Sequence, residues 1–525
     1  MKRIFTVLVL LMAASTLLFV SCAPKELTAD KADFIFSNGS EPTIDPSLIN
    51  DVPSTNVDLG LFEGLTQYDP TTNKAIPALA ESWTTSPDGL TVTFKLRKAT
   101  WSDGKPVTTA DFVYSLKRIL DPATGAEYAL FPGMVIKGAA DYNAGKNTDF
   151  ASVGIKAVDA QTLEYTLVSP TPFFVDMTTN SAFWPIPQWA VEKSGTEWTK
   201  PANIVTNGPY ILKEWKAQEY VFMVKNNKYW DAKNVKLKGI KVLSSNNDST
   251  NYNMYKSGEV DWMHGIALSK IDEIKLRPDY QASPQWGTYY YEFNVQRKPV
   301  DNPLVRKALA AAVDRQTLVE KVTKGGQIPT NGYVPPNAGY TPQLGQGFNV
   351  EQAKKFLADA GYPNGKGFPT LTIVYNTNEG HKAIAEYVQQ QWKTNLNVNV
   401  VLKNMEFKTL IDLRSKQHDF TVARAGWIGD YLDPNTFLDM WITGNGNNDA
   451  QYANPAYDKL IADAKLASGA DRLAMLQKAE AMFMGDQAVM PIYHYANQDL
   501  IDTTKWGGWS NTPLGYHPWK YIYRK

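Results

Sequence analysis

The chain has 525 residues, of which 43% are hydrophobic and 20% are charged, a composition typical of a folded globular protein. Lys and Arg together number 53, as do Asp and Glu, so no net charge would attract nucleic acid or an anionic surface. Nucleic acid is therefore excluded as an expected partner. At about 150 residues per domain, the length predicts roughly three domains or one large domain with lobes.

The amino-terminal residues have the pattern of a secretory signal peptide, in which two cations are followed by an apolar run that ends at Val20. Cys22 is the only cysteine in the chain. The sequence Phe19-Val20-Ser21-Cys22 resembles the processing box of bacterial lipoproteins, although leucine is usual where Phe19 stands. We expect residues 1–21 to be removed and Cys22 to carry a lipid that anchors the protein to a membrane. The alternative is an ordinary secretory signal with a chance cysteine.

The first half of the chain is predicted to be rich in strands. Residues Leu90–Leu96 alternate between apolar and polar side chains, as expected for a half-buried strand. Asp-Gly turn sequences at 88–89 and 103–104 flank it, so a hairpin or meander is expected. A helix follows, because Thr108 and Asp111 have capping-box spacing ahead of an apolar stripe.

The second half is predicted to be mainly α/β. Residues 371–375 and 398–402 have strand patterns, and residues 381–394 between them have a helical pattern. Such a βαβ unit has a right-handed crossover and parallel strands, and ligands usually bind beyond the carboxyl ends of those strands. Further helices are predicted over Glu351–Ala360 and Asn302–Val322.

No long Gly/Ser linker divides the chain, so domain boundaries must be inferred from local sequence. Pro185-Ile186-Pro187 is one candidate. Trp286-Gly287 is another, because a polar region gives way there to a strand predicted over Thr288–Val295.

The sequence lacks the residue patterns that an enzyme of this size is expected to show. One cysteine provides neither a thiol nucleophile nor a cysteine zinc site. The five histidines include no i, i+4 pair, and neither His-Glu-x-x-His nor Gly-x-Ser-x-Gly occurs. We therefore expect no catalytic residue, no metal and no cofactor, and a secreted hydrolase remains only a rival interpretation.

Several long segments follow one another in a characteristic order. They are residues 61–65 (LFEGL), 80–83 (AESW), 101–108 (WSDGKPVT), 111–115 (DFVYS), 201–208 (PANIVTNG), 229–230 (YW), 289–292 (YYYE) and 422–427 (VARAGW). On these motifs the chain resembles family 5 of the bacterial extracellular solute-binding proteins, which bind peptides or nickel. The resemblance covers nearly the whole chain after the signal peptide.

The resemblance implies an α/β, three-lobed fold of the periplasmic-binding-protein type, in which two hinged lobes close over a ligand cleft. The expected lobes are lobe I (residues 22–62, 188–287 and 497–525), lobe II (63–187) and lobe III (288–496). The implied function is that of a non-enzymatic, monomeric receptor in the periplasm or cell envelope. Such a receptor delivers short peptides to the permease subunits and ATPases of an ABC transporter.

A receptor for varied peptides must recognise the groups that all peptides share, which are the backbone, the ammonium and the carboxylate. In the family, the residue at the position of Asp430 pairs with the peptide α-ammonium, and the backbone at Gly426, Ile428 and a strand position, Val52, bonds the peptide main chain. Without the resemblance, Asp430 would be interpreted as a solvated turn residue.

Three cations correspond to family residues that hold the carboxylate of peptides of different lengths. They are Arg424, Arg414 and His381. Placing Arg414 requires a one-residue insertion in the intervening turn. For His381 the alternative is a surface residue at the start of a helix. A set of cations along one groove would suit several peptide lengths.

Other predicted site residues are aromatic or depart from the family pattern. Tyr128 matches a tyrosine that bonds the peptide backbone, and Tyr495 and Trp427 are expected to line the cavity, with plain packing as the alternative. Asn50 replaces a glutamate near the amino end of the ligand, and Phe407 replaces a tryptophan. Side-chain preferences are therefore expected to differ from those of relatives.

The same family contains binders of dipeptides, murein peptides, nickel chelates and oligosaccharides, and each is an alternative ligand class. Asp430 and Arg424 together favour a zwitterionic peptide, because a sugar would need neither charge. A surface lipoprotein that serves in adhesion is an alternative from another class.

Overall fold

The computed structural model describes residues 27–72, 74–336 and 339–525. The predicted signal peptide and Cys22 lie outside these residues. Within the described ranges, no helix is both long enough and apolar enough to span a bilayer.

Strands occur along the whole described chain. They are β1 (Phe34–Ser37), β2 (Thr66–Tyr68), β3 (Ala75–Pro77), β4 (Ala80–Thr85), β5 (Thr91–Leu96), β6 (Ile155–Asp159), β7 (Thr162–Thr166), β8 (Tyr210–Lys216), β9 (Tyr220–Lys225), β10 (Gly239–Leu243), β11 (Trp262–His264), β12 (Tyr280–Phe293), β13 (Ile328–Pro329), β14 (Leu371–Asn376), β15 (Val400–Met405), β16 (Val422–Ile428), β17 (Val489–Ile501), β18 (Trp506–Gly507) and β19 (Tyr523–Arg524).

Helices alternate with these strands, most densely in the second half. They are α1 (Val52–Leu61), α2 (Thr109–Leu120), α3 (Leu130–Gly133), α4 (Ala139–Asn143), α5 (Phe174–Met177), α6 (Gln188–Ser194), α7 (Asp248–Ser257), α8 (Ile271–Ile274), α9 (Pro303–Ala311), α10 (Arg315–Thr317), α11 (Val350–Asp359), α12 (Glu379–Leu396), α13 (Phe407–Asp412), α14 (Asn435–Leu438), α15 (Pro455–Leu466) and α16 (Gly469–Asp486). Asparagine caps the amino ends of α7 and α12. Asn247 accepts the Thr250 N–H, and Asn378 accepts the N–H groups of Gly380 and His381.

One mixed sheet of eleven strands forms the framework, in the order β15-β14-β16-β12-β17-β11-β1-β10-β9-β8, with β13 paired to β17. The long strands β12 and β17 are antiparallel, and their register shifts between Pro284 and Thr288. Successive residues of β12 face opposite layers, as the strand period requires. Tyr289 and Tyr291 pack towards α9 and α12, and Tyr290 packs against Trp441.

A second, antiparallel sheet has the order β4-β5-β7-β6. The strand predicted over Leu90–Leu96 is β5, and the predicted helix is α2. The capping box at its start is confirmed, because Asp111 Oδ2 accepts the backbone N–H of Thr108 at 2.7 Å. Phe94 and Phe112 are both buried in the hydrophobic core that includes this sheet and its helix.

The predicted βαβ unit is also confirmed, since β14 and β15 are adjacent and parallel and α12 connects them. The predicted helix over Glu351–Ala360 is α11. The carboxyl end of β14 and the amino end of α12 lie beside the cavity described below, as the crossover rule predicts.

Two predictions about elements were wrong. The helix predicted over Asn302–Val322 stops at Ala311. The Asp314 side chain caps a new turn there by accepting the Thr317 N–H at 3.1 Å, and a π-helical turn follows. The strand predicted to begin at Thr288 begins at Tyr280, so the candidate boundary at Trp286-Gly287 lies inside β12. The polar residues before it are partly exposed and pair with β17 through their backbone.

The limits of the three lobes remain a prediction. The sheet β4–β7 lies wholly within residues 63–187, the expected lobe II. The register of β12 and β17 shifts between the residue pairs Pro284–Ala496 and Thr288–His494. Lobes I and III are expected to join close to these pairs, between residues 287 and 288 and between residues 496 and 497.

Candidate functional site

A cavity of about 1170 Å³ lies between β16, the start of α1 and the turn that contains Tyr128. Nearly all the predicted site residues line it. They are Asn50, Val52, Tyr128, Phe407, Arg414, Arg424, Gly426, Trp427, Ile428, Asp430 and Tyr495. His381 lines a second cavity of about 1520 Å³, which shares Arg424 and Tyr495 with the first. The structure therefore brings the predicted residues to one connected space.

Strand β16 presents a free edge to this space. One edge pairs with β12 from Val422 to Ile428, whereas the other pairs with β14 only at Val422 and Ala423. Residues 424–428 therefore have a strand partner on one edge only, within the part of the chain that is described. In an antiparallel ladder, every second residue directs its N–H and C=O away from the partner strand. This edge can pair with another extended backbone.

Glycine is required at Gly426 because the side chain of Tyr495 crosses the strand there. A Cβ at this position would collide with the Tyr495 hydroxyl. The same hydroxyl accepts a hydrogen bond from Arg424 Nη2 at 3.0 Å. The missing side chain thus lets a tyrosine hold the arginine in place.

Asp430 is a buried carboxylate with only neutral hydrogen-bond partners. Its Oδ1 lies 3.2 Å from Asn180 Nδ2 and 3.5 Å from the Tyr128 hydroxyl, which are both donors. No lysine, arginine or histidine of the described residues forms an ion pair with it. Burial, together with the nearby Asp439 carboxyl, raises the pKa of Asp430 to about 8.

Arg424 is the complementary case, a half-buried cation that forms no ion pair with any carboxylate of the described residues. Its Nη1 lies 3.4 Å from Asn376 Oδ1, and its guanidinium carbon lies 4.9 Å from the centre of the Tyr289 ring. Its Nε is buried and finds no hydrogen-bond partner in the described part of the chain. Since an arginine keeps its charge in proteins, this position favours an anion.

Arg414 lines the same cavity, but its charge is already paired. Its Nε lies 2.5 Å from Glu292 Oε1, and its Nη2 lies 2.8 Å from Asp449 Oδ2. A ligand carboxylate would meet two protein carboxylates here. The assignment of Arg414 to the peptide carboxyl end stays a prediction, and these contacts argue against it.

His381 lies in the first turn of α12, half-buried beside Tyr289, with 5.6 Å between the ring centres. Burial and the charge of Arg424 hold the pKa of His381 well below its usual value. The imidazole is therefore neutral at neutral pH while no anion binds beside it.

Val52 was predicted to be a strand position and is instead the first residue of α1. Asp51 caps that helix by accepting the Ser54 N–H at 2.7 Å, and Pro53 suits the first turn. The first N–H groups of a helix have no partner within it, so Val52 still offers a main-chain donor. Asn50 donates to Glu127 Oε2 at 2.5 Å, and Phe407 begins α13.

Several polar residues of the cavity were missed by sequence reasoning. They are Glu127, Asn180, Asp449 and Tyr516. None lies in a motif that marks a site, and Asn180 reaches Asp430 across 250 positions of sequence. Glu292 was also missed, although it belongs to the motif YYYE at residues 289–292. It contacts Arg414 without lining the cavity itself.

The polar groups of the cavity suit an organic ligand with charged ends. Among the described residues, no three His, Cys, Asp or Glu side chains come together in a way that could hold a metal ion. The site offers instead a carboxyl, a guanidinium, amides, hydroxyls and a strand edge.

Comparison with known proteins identifies the family. The family model of the bacterial extracellular solute-binding proteins, family 5 Middle, matches residues 74–449. The periplasmic oligopeptide-binding protein OppA of Salmonella typhimurium is 39% identical over 525 residues, covering 97% of this chain and 95% of that protein. A crystal structure of a periplasmic oligopeptide-binding protein from Borrelia burgdorferi matches with a TM-score of 0.91 and 39% identity, covering 94% and 99% of the two chains.

Two structures of one relative differ in how closely they match this chain. The murein tripeptide binding protein MppA of Escherichia coli matches with a TM-score of 0.89 at 36% identity, covering 94% of this chain and 98% of that one. Its unliganded open form, with coverage of 94% and 97%, matches at only 0.65. The parts of this chain are thus arranged differently from that open form. The predicted family and fold class are confirmed, and the chain belongs to family 5 of the bacterial extracellular solute-binding proteins.

Proposed function

We propose that this protein captures short peptides outside the cytoplasm and delivers them to the permease subunits and ATPases of an ABC importer. Its relatives support this, since OppA is named a periplasmic oligopeptide-binding protein in both Salmonella typhimurium and Escherichia coli. The observation that carries the proposal is Asp430, a buried carboxylate beside a cavity with no cation paired to it in the described chain. The α-ammonium of a peptide supplies that cation.

Charge complementarity favours a zwitterionic ligand. An ion buried without a partner costs on the order of several kcal/mol. Arg424 keeps its charge and Asp430 holds a proton instead, so an opposite charge from the ligand favours the ionised form of both. They lie six positions apart, which an extended chain spans in at most about 20 Å. A peptide of a few residues fits between them, with its amine at Asp430 and its carboxylate towards Arg424.

Recognition of the peptide main chain is assigned to β16. A peptide that adds to the free edge at residues 424–428 bonds through its backbone, whatever its side chains are. Trp427 and Tyr128 lie nearly parallel, with 6.5 Å between ring centres and 12° between planes, and form a wall for a side chain. This arrangement supports broad rather than sequence-specific binding.

A murein peptide is the second candidate, because MppA is among the relatives and such a peptide also carries an amine and carboxylates. Mass spectrometry of ligand released by denaturing the purified protein distinguishes the classes. Mixed short peptides support the first proposal, a single murein peptide supports the second, and a sugar or a metal chelate contradicts both.

The amine site is tested with Ala-Ala-Ala and its N-acetylated form by isothermal titration calorimetry. Removing one partner of a buried charge pair costs about 2–5 kcal/mol, so we expect the acetylated peptide to bind more than tenfold more weakly. In Asp430→Asn the two peptides should bind with similar, weak affinity.

Asp419→Asn is the matched control, because that side chain is 69% exposed and pairs with Arg297 away from the cavity. It should keep the wild-type difference between the two peptides. Equal binding of both peptides by the wild type would contradict the proposed ligand.

We also propose that the protein is a monomer held at the periplasmic or outer side of a membrane by a lipid on Cys22. The signal-peptide pattern that ends at Cys22 supports the lipid anchor, and Cys22 itself lies outside the described residues. Cys22→Ser should move the protein from the membrane fraction to the soluble fraction of lysed cells. Recovery of the wild type in the soluble fraction would show that no anchor is attached.

A further inference from the structure

Tyr431 directly follows Asp430, but its side chain packs outside its own region of the chain. The ring is fully buried in a hydrophobic core whose other members come from residues 34–262 and 501–522. Of the described residues between 288 and 496, the expected lobe III, Tyr431 alone belongs to this core. If the regions separate, this buried ring must be withdrawn from its pocket.

Two phenylalanines of the expected lobe II form walls of the pocket that contains the Tyr431 ring. Phe173 lies nearly parallel to that ring, with 4.8 Å between ring centres and 9° between planes. Phe131 lies at 6.0 Å and 41°. Aromatic rings at these separations attract each other beyond the area that they bury. The pocket is therefore specific for a ring and is filled from another region of the chain.

The Tyr431 hydroxyl is held by the expected lobe III. It donates to Asp439 Oδ2 at 3.3 Å and accepts from Asn435 Nδ2 at 2.9 Å. The side chain therefore bridges the two regions, with its ring in the expected lobe II and its hydroxyl bonded to the expected lobe III.

Phe173 has a second partner in the expected lobe III. The guanidinium carbon of Arg472 lies 5.0 Å from the centre of the Phe173 ring. Asp433 accepts two hydrogen bonds from that guanidinium, of 2.8 and 2.9 Å, and so fixes its position. A cation over an aromatic face is stabilising. Phe173 is half-buried, so both of its partners contact it at the surface of its own region.

The same region also holds Asp430 in place. The Asp430 carbonyl, which is bonded directly to the Tyr431 nitrogen, accepts the Tyr68 hydroxyl at 2.9 Å. The Asp430 carboxylate accepts from Asn180 and Tyr128. The Cα atoms of Asp430 and Tyr431 are about 3.8 Å apart across one rigid peptide unit. The carboxylate therefore stays beside the expected lobe II as long as the Tyr431 ring occupies its pocket.

We propose that the Tyr431 ring is a plug that couples peptide binding at Asp430 to the contact between the expected lobes II and III, and that Phe173 is its principal receptor. This inference rests on the proposed function and adds two positioning residues to it. Neither side chain lines the first or the second cavity, so both act through Asp430. By linkage, a peptide held at Asp430 favours the plugged arrangement, and the plug slows release of the peptide.

Stopped-flow fluorescence with Ala-Ala-Ala tests the coupling through the dissociation and association rates. Phe173→Leu keeps an apolar side chain but loses both ring contacts, so dissociation should accelerate about three- to tenfold. Association should change less than about twofold, because the plug forms after the peptide has entered. Tyr431→Leu should accelerate dissociation at least as much. Tyr431→Phe keeps the ring, so its dissociation rate should stay within about threefold of the wild-type rate.

The double variant and a matched control separate coupling from a general loss of packing. If the two rings act as one unit, Phe173→Leu should add less than about twofold to the dissociation rate of Tyr431→Leu. Phe368→Leu is the control, because Phe368 is also half-buried and packs on a tyrosine, Tyr362, at 4.9 Å within the expected lobe III. It should dissociate at the wild-type rate.

The outcomes are distinguishable. Wild-type dissociation rates in both Phe173→Leu and Tyr431→Leu, or an equal acceleration in Phe368→Leu, would overturn the inference while peptide binding stands. Independent effects that multiply in the double variant would also overturn it. If the wild type does not bind Ala-Ala-Ala, the proposed function falls and takes this inference with it.

Discussion

Asp430 and Arg424 respond to burial in different ways. A carboxyl group without a cation can take up a proton and become neutral, whereas a guanidinium keeps its charge. Asp430 accordingly has a pKa of about 8 in the absence of ligand, and Arg424 is stabilised by the Tyr495 hydroxyl and the Tyr289 ring. Peptide binding should therefore be coupled to loss of a proton at Asp430.

The affinity for Ala-Ala-Ala should depend on pH with a defined sign. The raised pKa means that Asp430 is protonated below pH 8 and must ionise to pair with an ammonium, so affinity should fall by about tenfold per unit at pH values well below 8. Above about pH 8 it should fall again, because the peptide amine, with a pKa of about 7.7–8.0, loses its own proton. Calorimetry at pH 6, 7, 8 and 9 measures this profile.

Asp430→Asn is the control for that profile. Asp439, whose pKa is raised to about 7 by burial, remains in this variant, so any dependence that persists belongs to other groups. We expect the variant to bind weakly and almost independently of pH from 6 to 8. A flat profile in the wild type would show that Asp430 is already ionised before the peptide binds.

The free energy of unfolding of the ligand-free protein should fall with rising pH over the range in which the peptide affinity rises. A carboxyl whose pKa is raised on folding binds its proton more tightly in the folded state, so Asp430 favours folding at low pH, and this contribution is lost as the pH rises from about 4 to 8. Peptide binding offsets the loss by supplying the missing cation.

The chemistry of Asp430 could not be deduced from its neighbours in sequence. A carboxylate after a glycine in a turn is usually solvated, and this is the interpretation that the neighbouring residues alone favour. Its burial depends on Tyr68, Tyr128 and Asn180, which lie more than 200 positions away and contact it in the folded chain. Only the resemblance supplied this information before the structure.

At the scale of elements, the sequence pattern predicts helices and strands correctly where one face of the element is buried. The alternation in β5, the capping box of α2 and the crossover β14-α12-β15 were all predictable, because burial on one side leaves a period in the sequence. The break after α9 was not predictable from the apolar pattern, since the buried Ala312 and Val313 continue it beyond the helix end.

The free edge of β16 shows why pairing is harder to predict than strand content. Strand β16 runs into a turn that contains Gly429, but its edge is free only because β14 leaves it after Ala423. Asn376, the last residue of β14, contacts Arg424 through its side chain only. Strand register and neighbours are tertiary properties, so they appear only in the folded molecule.

For the whole molecule, the contacts between the expected lobes I and III bear on how a ligand is released. The amino ends of α7 and α12 meet beside the second cavity and come from the regions expected to form lobes I and III. Asn378 Nδ2 donates to Asp248 Oδ2 at 2.9 Å, and the Ser249 hydroxyl lies 2.7 and 2.9 Å from the two oxygens of Glu379. If those lobes separate to release a ligand, these contacts must break.

Glu379→Ala should therefore accelerate peptide dissociation more than it changes association. The lost contact is a hydrogen bond to a partly exposed charged group, worth about 1 kcal/mol after allowance for solvent, so the dissociation rate should rise about three- to tenfold. Stopped-flow fluorescence with Ala-Ala-Ala measures both rates.

Glu386→Ala is the matched control on the same helix, because Glu386 is 54% exposed and its ion-pair partner is Lys382 within α12. If both variants dissociate at the wild-type rate, the meeting of α7 and α12 does not limit opening. In that case, closure would depend on the contacts that converge on Asp430 from Tyr68, Tyr128 and Asn180.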